Sequence, residues 1–238
     1  MPVDGTRGYV VSWRLAGATV VVVGGGAAAE AKVETLLATG ARLVVVSPRI
    51  TTRLQELEGA GRLQWCPRRY RRGDLRGASL VFAATGDGRL NARLRRHAHR
   101  ARALLNAVDD PLNCDVTVPA VVRRGPVTVA VTTDGHSPAA ARFVREELDA
   151  VLPATLGDLV TVAAEARADL RRQGRYRYDY AAWRDGLLEP GRRTVAHGGG
   201  RTDLERLSAA FVRTWDPPGP TAPEAPLTVP APAPAPAW

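Results

Sequence analysis

The chain has 238 residues, 45% hydrophobic and 24% charged, with 33 Lys and Arg against 24 Asp and Glu and a formal net charge of +9. That length buries a sizeable core in one large or two modest domains; with no apolar run of ~18 residues and no basic-then-apolar leader pattern, a cytoplasmic protein without a membrane partner is expected. The basic excess is spread along the whole length and is almost all arginine, Lys32 being the lone lysine, whereas nucleic-acid binders concentrate charge on one face, so no nucleic-acid partner is expected.

The apolar run Val20–Val23 reads as a buried strand that breaks into Gly24-Gly25-Gly26 and passes at once into helix-forming residues. Gly24, Gly26 and Ala29 fit the spacing in which one glycine turns the chain, the next admits a pyrophosphate, and a third small residue packs helix on strand. Turns of this spacing also occur where nothing binds. A helix over 30–39 places Val33, Leu36 and Leu37 on one face, Gly40 ends it, and Leu43–Val46 is a second strand.

Leu63–Cys66 reads as a short strand and Arg68-Arg69-Tyr70-Arg71-Arg72 as a solvated loop, with attraction of an anionic substrate as its functional alternative. Ser79–Thr85 is a buried strand, 89–102 a helix and Leu104–Val108 another strand. Strands alternating with helices predict an α/β, doubly wound parallel sheet, with ligands at the carboxyl ends of the strands, where 85–87 and 106–111 lie. Cys66 and Cys114 show neither disulfide-framework nor zinc-ligand spacing and read as packing residues.

From about Asn113 the pattern changes. Val116–Val122 and Val127–Thr133 predict a hairpin, and Ser137-Pro138 caps a helix that runs to about Val151. A second helix follows Pro153, with Leu156, Leu159, Val160, Ala163, Ala166 and Leu170 at helical spacing; 173–200 is polar and glycine-interrupted, and 202–211 is a further short helix. From Trp215 the chain turns to proline and alanine and reads as a disordered tail. The expected divisions are therefore a Rossmann-like domain over 1–112, a small α+β hairpin–helix region over 113–152, a helical region over 153–214 and the tail over 215–238.

The segments GGGAAAEAK, LVFAATGDGRLN and NAVDDPLNCDVTVPAVVRRGPVTVAVTTDGHSPAAARFVREEL, in this order, resemble the N-terminal module of siroheme synthase and the stand-alone precorrin-2 dehydrogenases, over about 14–152. The resemblance implies a homodimeric, NAD-dependent oxidation of precorrin-2 to sirohydrochlorin on the route to siroheme or cobalamin. Some relatives also insert ferrous iron, as a substrate, into the product, so a bifunctional dehydrogenase and ferrochelatase is the alternative. A non-catalytic nucleotide-sensing module is a third reading. The residues after the helical region are few and proline-rich, so the methyltransferase module of the fused synthases is not expected in them.

By its place in Asn-x-Val-Asp, Asp109 matches the acid the family uses in both reactions. A carboxylate at a strand end can take the proton that leaves as a hydride goes to the nucleotide. Read without the family, Asp109 and Asp110 equally form an Asx turn before Pro111. Cofactor contacts are expected from Gly24, Gly25, Gly26, Ala27, Ala28, Pro48, Arg49 and Thr85. The usual acid for the adenosine ribose is replaced by Ser47-Pro48-Arg49, so NADP stands beside NAD.

Substrate carboxylates are expected at Thr133, Gly135, His136 and Ser137, with Arg123, Arg124 and Arg142 as cationic candidates and turn solvation as the other reading of Arg123 and Arg124. Asp134 departs from the glycine usual in the family: either it points away or contact with substrate differs. His136 is a proton shuttle or metal ligand or, more often for an isolated histidine, a surface or capping residue, and His97 and His99 face different directions on their helix. No metal-ligand set is expected.

Overall fold

The computed structural model describes residues 8–216, which form two compact units: 8–120 with 131–144, and 121–130 with 145–216. In the first, β1 (Thr19–Val23), α1 (Ala27–Leu36), β2 (Arg42–Val46), α2 (Thr52–Gly59), β3 (Gln64–Cys66), β4 (Ala78–Ala83), α3 (Gly88–Arg100) and β5 (Leu104–Ala107) alternate along the chain. The sheet is parallel throughout, in the order β3-β2-β1-β4-β5. The chain winds outward from β1 through β2 and β3, then crosses to β4 and β5. Its direction of winding therefore reverses between β1 and β4, and the loops leaving those strands diverge there, at the place where α/β sheets hold ligands.

The valine run suits β1 because a central parallel strand is covered on both faces and accepts β-branched residues on each. Val20 and Val22 pack with Ala29, Val33 and Leu54 under α1 and α2, while Val21 and Val23 pack with Val81, Leu94 and Leu105 on the other face, under α3. Leu54 and Leu94 are fully buried, each contributing roughly 1.5–3 kcal/mol of transfer free energy.

Three elements differ from the sequence expectation. Helix α2 had no counterpart; it starts where Thr51 Oγ1 accepts from the Leu54 amide at 3.3 Å, and only Leu54 and Leu57 of its residues are buried. The hairpin strand expected from Val116 begins at Ala120 as β6 (Ala120–Arg124), because Val116 is tied to β5 by Asn106 Nδ2 donating to its carbonyl at 2.9 Å and Pro119 lacks an amide donor. Between 180 and 196, read as irregular, α6 (Tyr180–Trp183) continues through a π turn (Arg184–Leu188) into α7 (Glu189–Ala196). Pro190 cannot donate to the carbonyl four residues back, and the wider π turn before it takes up the mismatch.

β6 pairs with β7 (Val127–Val131) across two residues, a connection that only an antiparallel hairpin can close. Helix α4 (Pro138–Val151) passes from the first unit into the second, where α5 (Leu156–Arg172) packs along α8 (Arg201–Thr214). The core there is aromatic: Trp183 meets Phe211 with ring centroids 5.0 Å apart, and Phe211 meets Trp215 at 5.1 Å. Trp215, read from the sequence as the first residue of the tail, is buried in this cluster and its indole donates to the Arg175 carbonyl at 3.1 Å. The rest of the expected tail, 217–238, lies outside the described residues. No helix among the described residues is long and apolar enough to cross a membrane.

Candidate active site

The glycines of the first loop have different duties. Gly24 has φ +124°, and a Cβ there would stand 2.1 Å from the Ala84 carbonyl oxygen; at Gly25 it would stand 2.1 Å from that of Arg49. Both are therefore demanded by neighbouring backbone at the ends of β4 and β2. Gly26 is different: its backbone (φ −88°, ψ −170°) suits any residue and a Cβ would meet nothing within 4 Å. The protein's own packing gives no reason for a glycine there. An approaching pyrophosphate does, since a side chain would fill the space it needs.

Gly26 caps α1 without a side-chain hydrogen bond, and the first helical bond is donated by Glu30 to the Gly26 carbonyl at 3.0 Å. The amides of Ala27, Ala28 and Ala29 thus have no partner within the helix and lie at its positive end. Ala29 is fully buried against the sheet, the close packing expected of the third small residue. These residues fit a dinucleotide phosphate.

Beside them, Pro48 and Arg49 are exposed beyond β2. Their loop is fixed from below, with Ser47 Oγ donating to the Arg49 carbonyl at 2.6 Å and the Thr51 amide to that of Gly25 at 3.1 Å. No carboxylate stands between 47 and 51.

At the ends of β4 and β5 lies a half-buried polar network centred on the buried Asn91. Thr85 Oγ1 donates to Asn91 Oδ1 at 2.7 Å; Asn91 Nδ2 donates to Asp110 Oδ2 at 3.1 Å, which also accepts from Asn113 Nδ2 at 2.8 Å. Cys114 closes the same turn, its sulfur accepting from the Ala107 amide at 3.2 Å and approaching the carbonyls of Ala107 and Asp110. Burial pushes the Cys114 thiol above its usual range, so it is a neutral packing and bonding group rather than a nucleophile.

Asp109 stands in the middle of this fastened turn with φ +58°. It is exposed and, among the described residues, makes no hydrogen bond or ion pair. The two adjacent carboxylates are thereby distinguished: Asp110 is consumed by the turn, and Asp109 is presented by it. A left-handed backbone turns the Asp109 side chain out of the strand direction, at about 1 kcal/mol. Such a carboxylate is an acceptor open to a proton.

The loop before α4 is closed on itself. Thr133 Oγ1 donates to the Ser137 carbonyl at 3.0 Å and accepts from its amide at 3.2 Å, while Ser137 Oγ accepts from the Ala140 amide at 3.1 Å as a helix cap. His136 Nδ1 lies 2.7 Å from the Thr133 carbonyl, so that nitrogen carries the proton and the ring's other nitrogen faces outward. Gly135 and His136 are exposed. Asp134, at φ +49°, turns to the N-terminal segment, where its carboxylate accepts from the Gly8 amide at 3.2 Å.

The cationic candidates fall in different places. Arg142 is exposed on the part of α4 that belongs to the first unit. Arg124 lies in the second unit with its guanidinium donating to the carbonyls of Leu152 at 2.9 Å and Asp149 at 2.6 Å and paired with the Asp149 carboxylate. In the arginine run, Arg68 grips Asp74 through two bonds of 2.9 and 2.7 Å and Tyr70 shares a 2.9 Å bond with His97, leaving Arg69, Arg71 and Arg72 exposed. His99 pairs instead with Asp115 at 2.7 Å. Asn91 went unremarked in the sequence because its partners are separated from it along the chain, while Cys114, read there as a packing residue, is also a bonding group of this turn.

Residues 11–120 match the model of a family described as putative NAD(P)-binding. With the parallel sheet and open glycine loop, this defines a dinucleotide-binding protein of Rossmann type. The siroheme synthase of Stutzerimonas stutzeri (strain A1501) is 42% identical over 157 residues, 66% of this chain and 34% of that protein. That of Ectopseudomonas mendocina (strain ymp) is 43% identical over 154 residues, 65% of this chain and 33% of that protein. The chain thus spans about a third of the length of these curated relatives. A solved structure of SirC, a precorrin-2 dehydrogenase, shares the fold at a TM-score of 0.69 and 23% identity, covering 87% of this chain and 100% of that one. Over about two thirds of its own length the chain is thus similar to the siroheme synthases.

Proposed function

We propose that the protein oxidises precorrin-2 to sirohydrochlorin with NAD, Asp109 acting as the base. The observation that carries this reading is the contrast between Asp110, bonded into its turn, and Asp109, held out unpaired at the end of β5. The bound nucleotide supplies a hydride acceptor. Oxidation removes two hydrogens: one leaves carbon with its electron pair, the other leaves as a proton, and Asp109 takes the proton. The amides at the start of α1 hold the pyrophosphate, with Gly26 leaving room for it, and Pro48 and Arg49 flank the adenosine ribose.

Support for the substrate comes from the relatives, whose names place them in siroheme synthesis, and from the SirC fold. The Thr133–Ser137 loop, exposed at Gly135 and His136, and Arg142 are the groups proposed to receive its carboxylates, while Arg124 is directed at backbone and Asp149. A homodimer in the cytoplasm belongs to the same reading, and the exposed Phe143, Val144 and Val151 of α4 support self-association.

The test is anaerobic turnover of freshly generated precorrin-2 with NAD and NADP in parallel. Reduced nicotinamide and the sirohydrochlorin spectrum should appear together. Cofactor binding without either product would sink the dehydrogenase and leave a nucleotide-sensing module. Faster turnover with NADP would assign Arg49 to a 2′-phosphate.

A further inference from the structure

Asn91, in the first turn of α3, is 2% exposed. A buried amide is costly unless its donors and acceptor are used, and this one spans two strand ends: Thr85 behind β4 and Asp110 behind β5. Its orientation is fixed by those partners. Turned over, its oxygen would face the Asp110 carboxylate, setting acceptor against acceptor. Thr85 is anchored in turn, its hydroxyl accepting from the Asp87 amide at 3.1 Å, and Asp87 caps α3 by accepting from the amides of Arg89 and Leu90. The link therefore runs without a gap from the expected nucleotide contact at Thr85 to the residue adjoining Asp109.

Nothing in the packing of α3 against the sheet requires polarity here; its neighbours on the buried face are Leu94 and Ala98. What the amide does, and an apolar residue of similar volume cannot, is donate to Asp110 while accepting from Thr85. We propose that Asn91 is a positioning residue for the oxidation: acting through Asp110, it locks the Asp109 turn to the end of β4, so that the base keeps one orientation relative to the strand ends that seat the nucleotide. This rests on the dehydrogenase reading above.

The test is Asn91→Asp in the full chain, beside the double variant Asn91→Asp/Asp110→Asn. The single variant keeps the size and the acceptor toward Thr85 but sets a second carboxylate against Asp110, whereas the double variant restores a donor–acceptor pair with the roles exchanged, Asn113 turning its amide over to accept from the new donor. Misplacement of a reacting group predicts a fall in kcat of about tenfold to a hundredfold for the single variant. KM for NAD should stay within about twofold, and the double variant should recover most of the loss. Hydrogen exchange across 108–114 should quicken in the single variant and return in the double one, with the strands still protected.

Unchanged kcat and exchange in Asn91→Asp, exchange loosened over the whole sheet, or no recovery in the double variant would each overturn the proposal. Should the wild-type chain fail to oxidise precorrin-2, the dehydrogenase reading falls. The exchange measurement still decides whether Asn91 fixes the turn.

Discussion

The two units bury polar groups in opposite ways. In the first, Ser47, Asn91 and Asn106 are buried at or just beyond the carboxyl ends of β2, β4 and β5, and each is hydrogen-bonded. In the second, Ser208 is the one buried polar residue among those described, the charges pair on exposed helix surfaces, such as Arg192 with Glu189 and Arg201 with Glu205, and the interior is aromatic and aliphatic. Its one buried unpaired side-chain donor among the described residues is Trp183 Nε1. Buried polar networks demand full satisfaction and fix a single geometry; helix packing demands only volume. The end of the sheet is therefore built for precise placement, and the helical unit for mass and stability.

That contrast breaks first, if it breaks, at Asp109. Asp109→Asn should lower kcat by about 10² to 10⁴-fold, the span of a lost general base. Nucleotide affinity and melting temperature should hold, since asparagine also accepts a left-handed backbone. A marked loss of stability would make Asp109 a residue of the Asx turn rather than the base. In the helical unit the largest effect should be on folding: Phe211→Ala is expected to cost about 3–5 kcal/mol, read by denaturant titration, with nucleotide binding unchanged.

A sharper version compares two glycines of one loop. Gly24→Ala forces a Cβ onto the Ala84 carbonyl in a backbone that disfavours side chains and should destabilise the fold by about 2 kcal/mol or more. Gly26→Val should leave melting unchanged yet weaken NAD binding by roughly tenfold or more, as calorimetry can show. Equal effects at both positions would dissolve the distinction between packing and ligand.

The smallest effect belongs to Arg68 and Asp74. The guanidinium of Arg68 holds the Asp74 carboxyl below the usual carboxylate range, so the folded state favours the charged form. Its contribution is present above the unfolded value and is lost as pH falls through the folded one. With Arg68 38% exposed, Asp74→Asn should cost at most about 1 kcal/mol at neutral pH. The difference from wild type should fade below about pH 4 in thermal melts.

The sheet was legible because Val20–Val23, Leu43–Val46 and Leu80–Ala83 are long apolar runs ended by glycine or polar loops, and a buried parallel strand needs nothing more. Helix α2 was hidden because two leucines among charged residues give almost no period, and α7 because Pro190 and nearby glycines mimic a loop. In the site, the spacing of Gly24 and Gly26 could be read directly, but not that one glycine serves the Ala84 carbonyl and the other open space. Asp109 could be told from Asp110 only through the family resemblance, and Asn91 not at all. Its partners lie 6 and 19 residues away, and only the crossover from β4 to β5 brings them together.

The left-handed backbone at Asp109 has a genetic consequence. A single base change separates aspartate codons from those of asparagine, and the turn tolerates asparagine without strain. Silencing the proposed chemistry therefore carries no folding penalty to warn the cell: the altered chain would accumulate, bind its nucleotide and resist proteolysis like the active one. On the proposed reading, a related chain with asparagine at this position would be folded but silent.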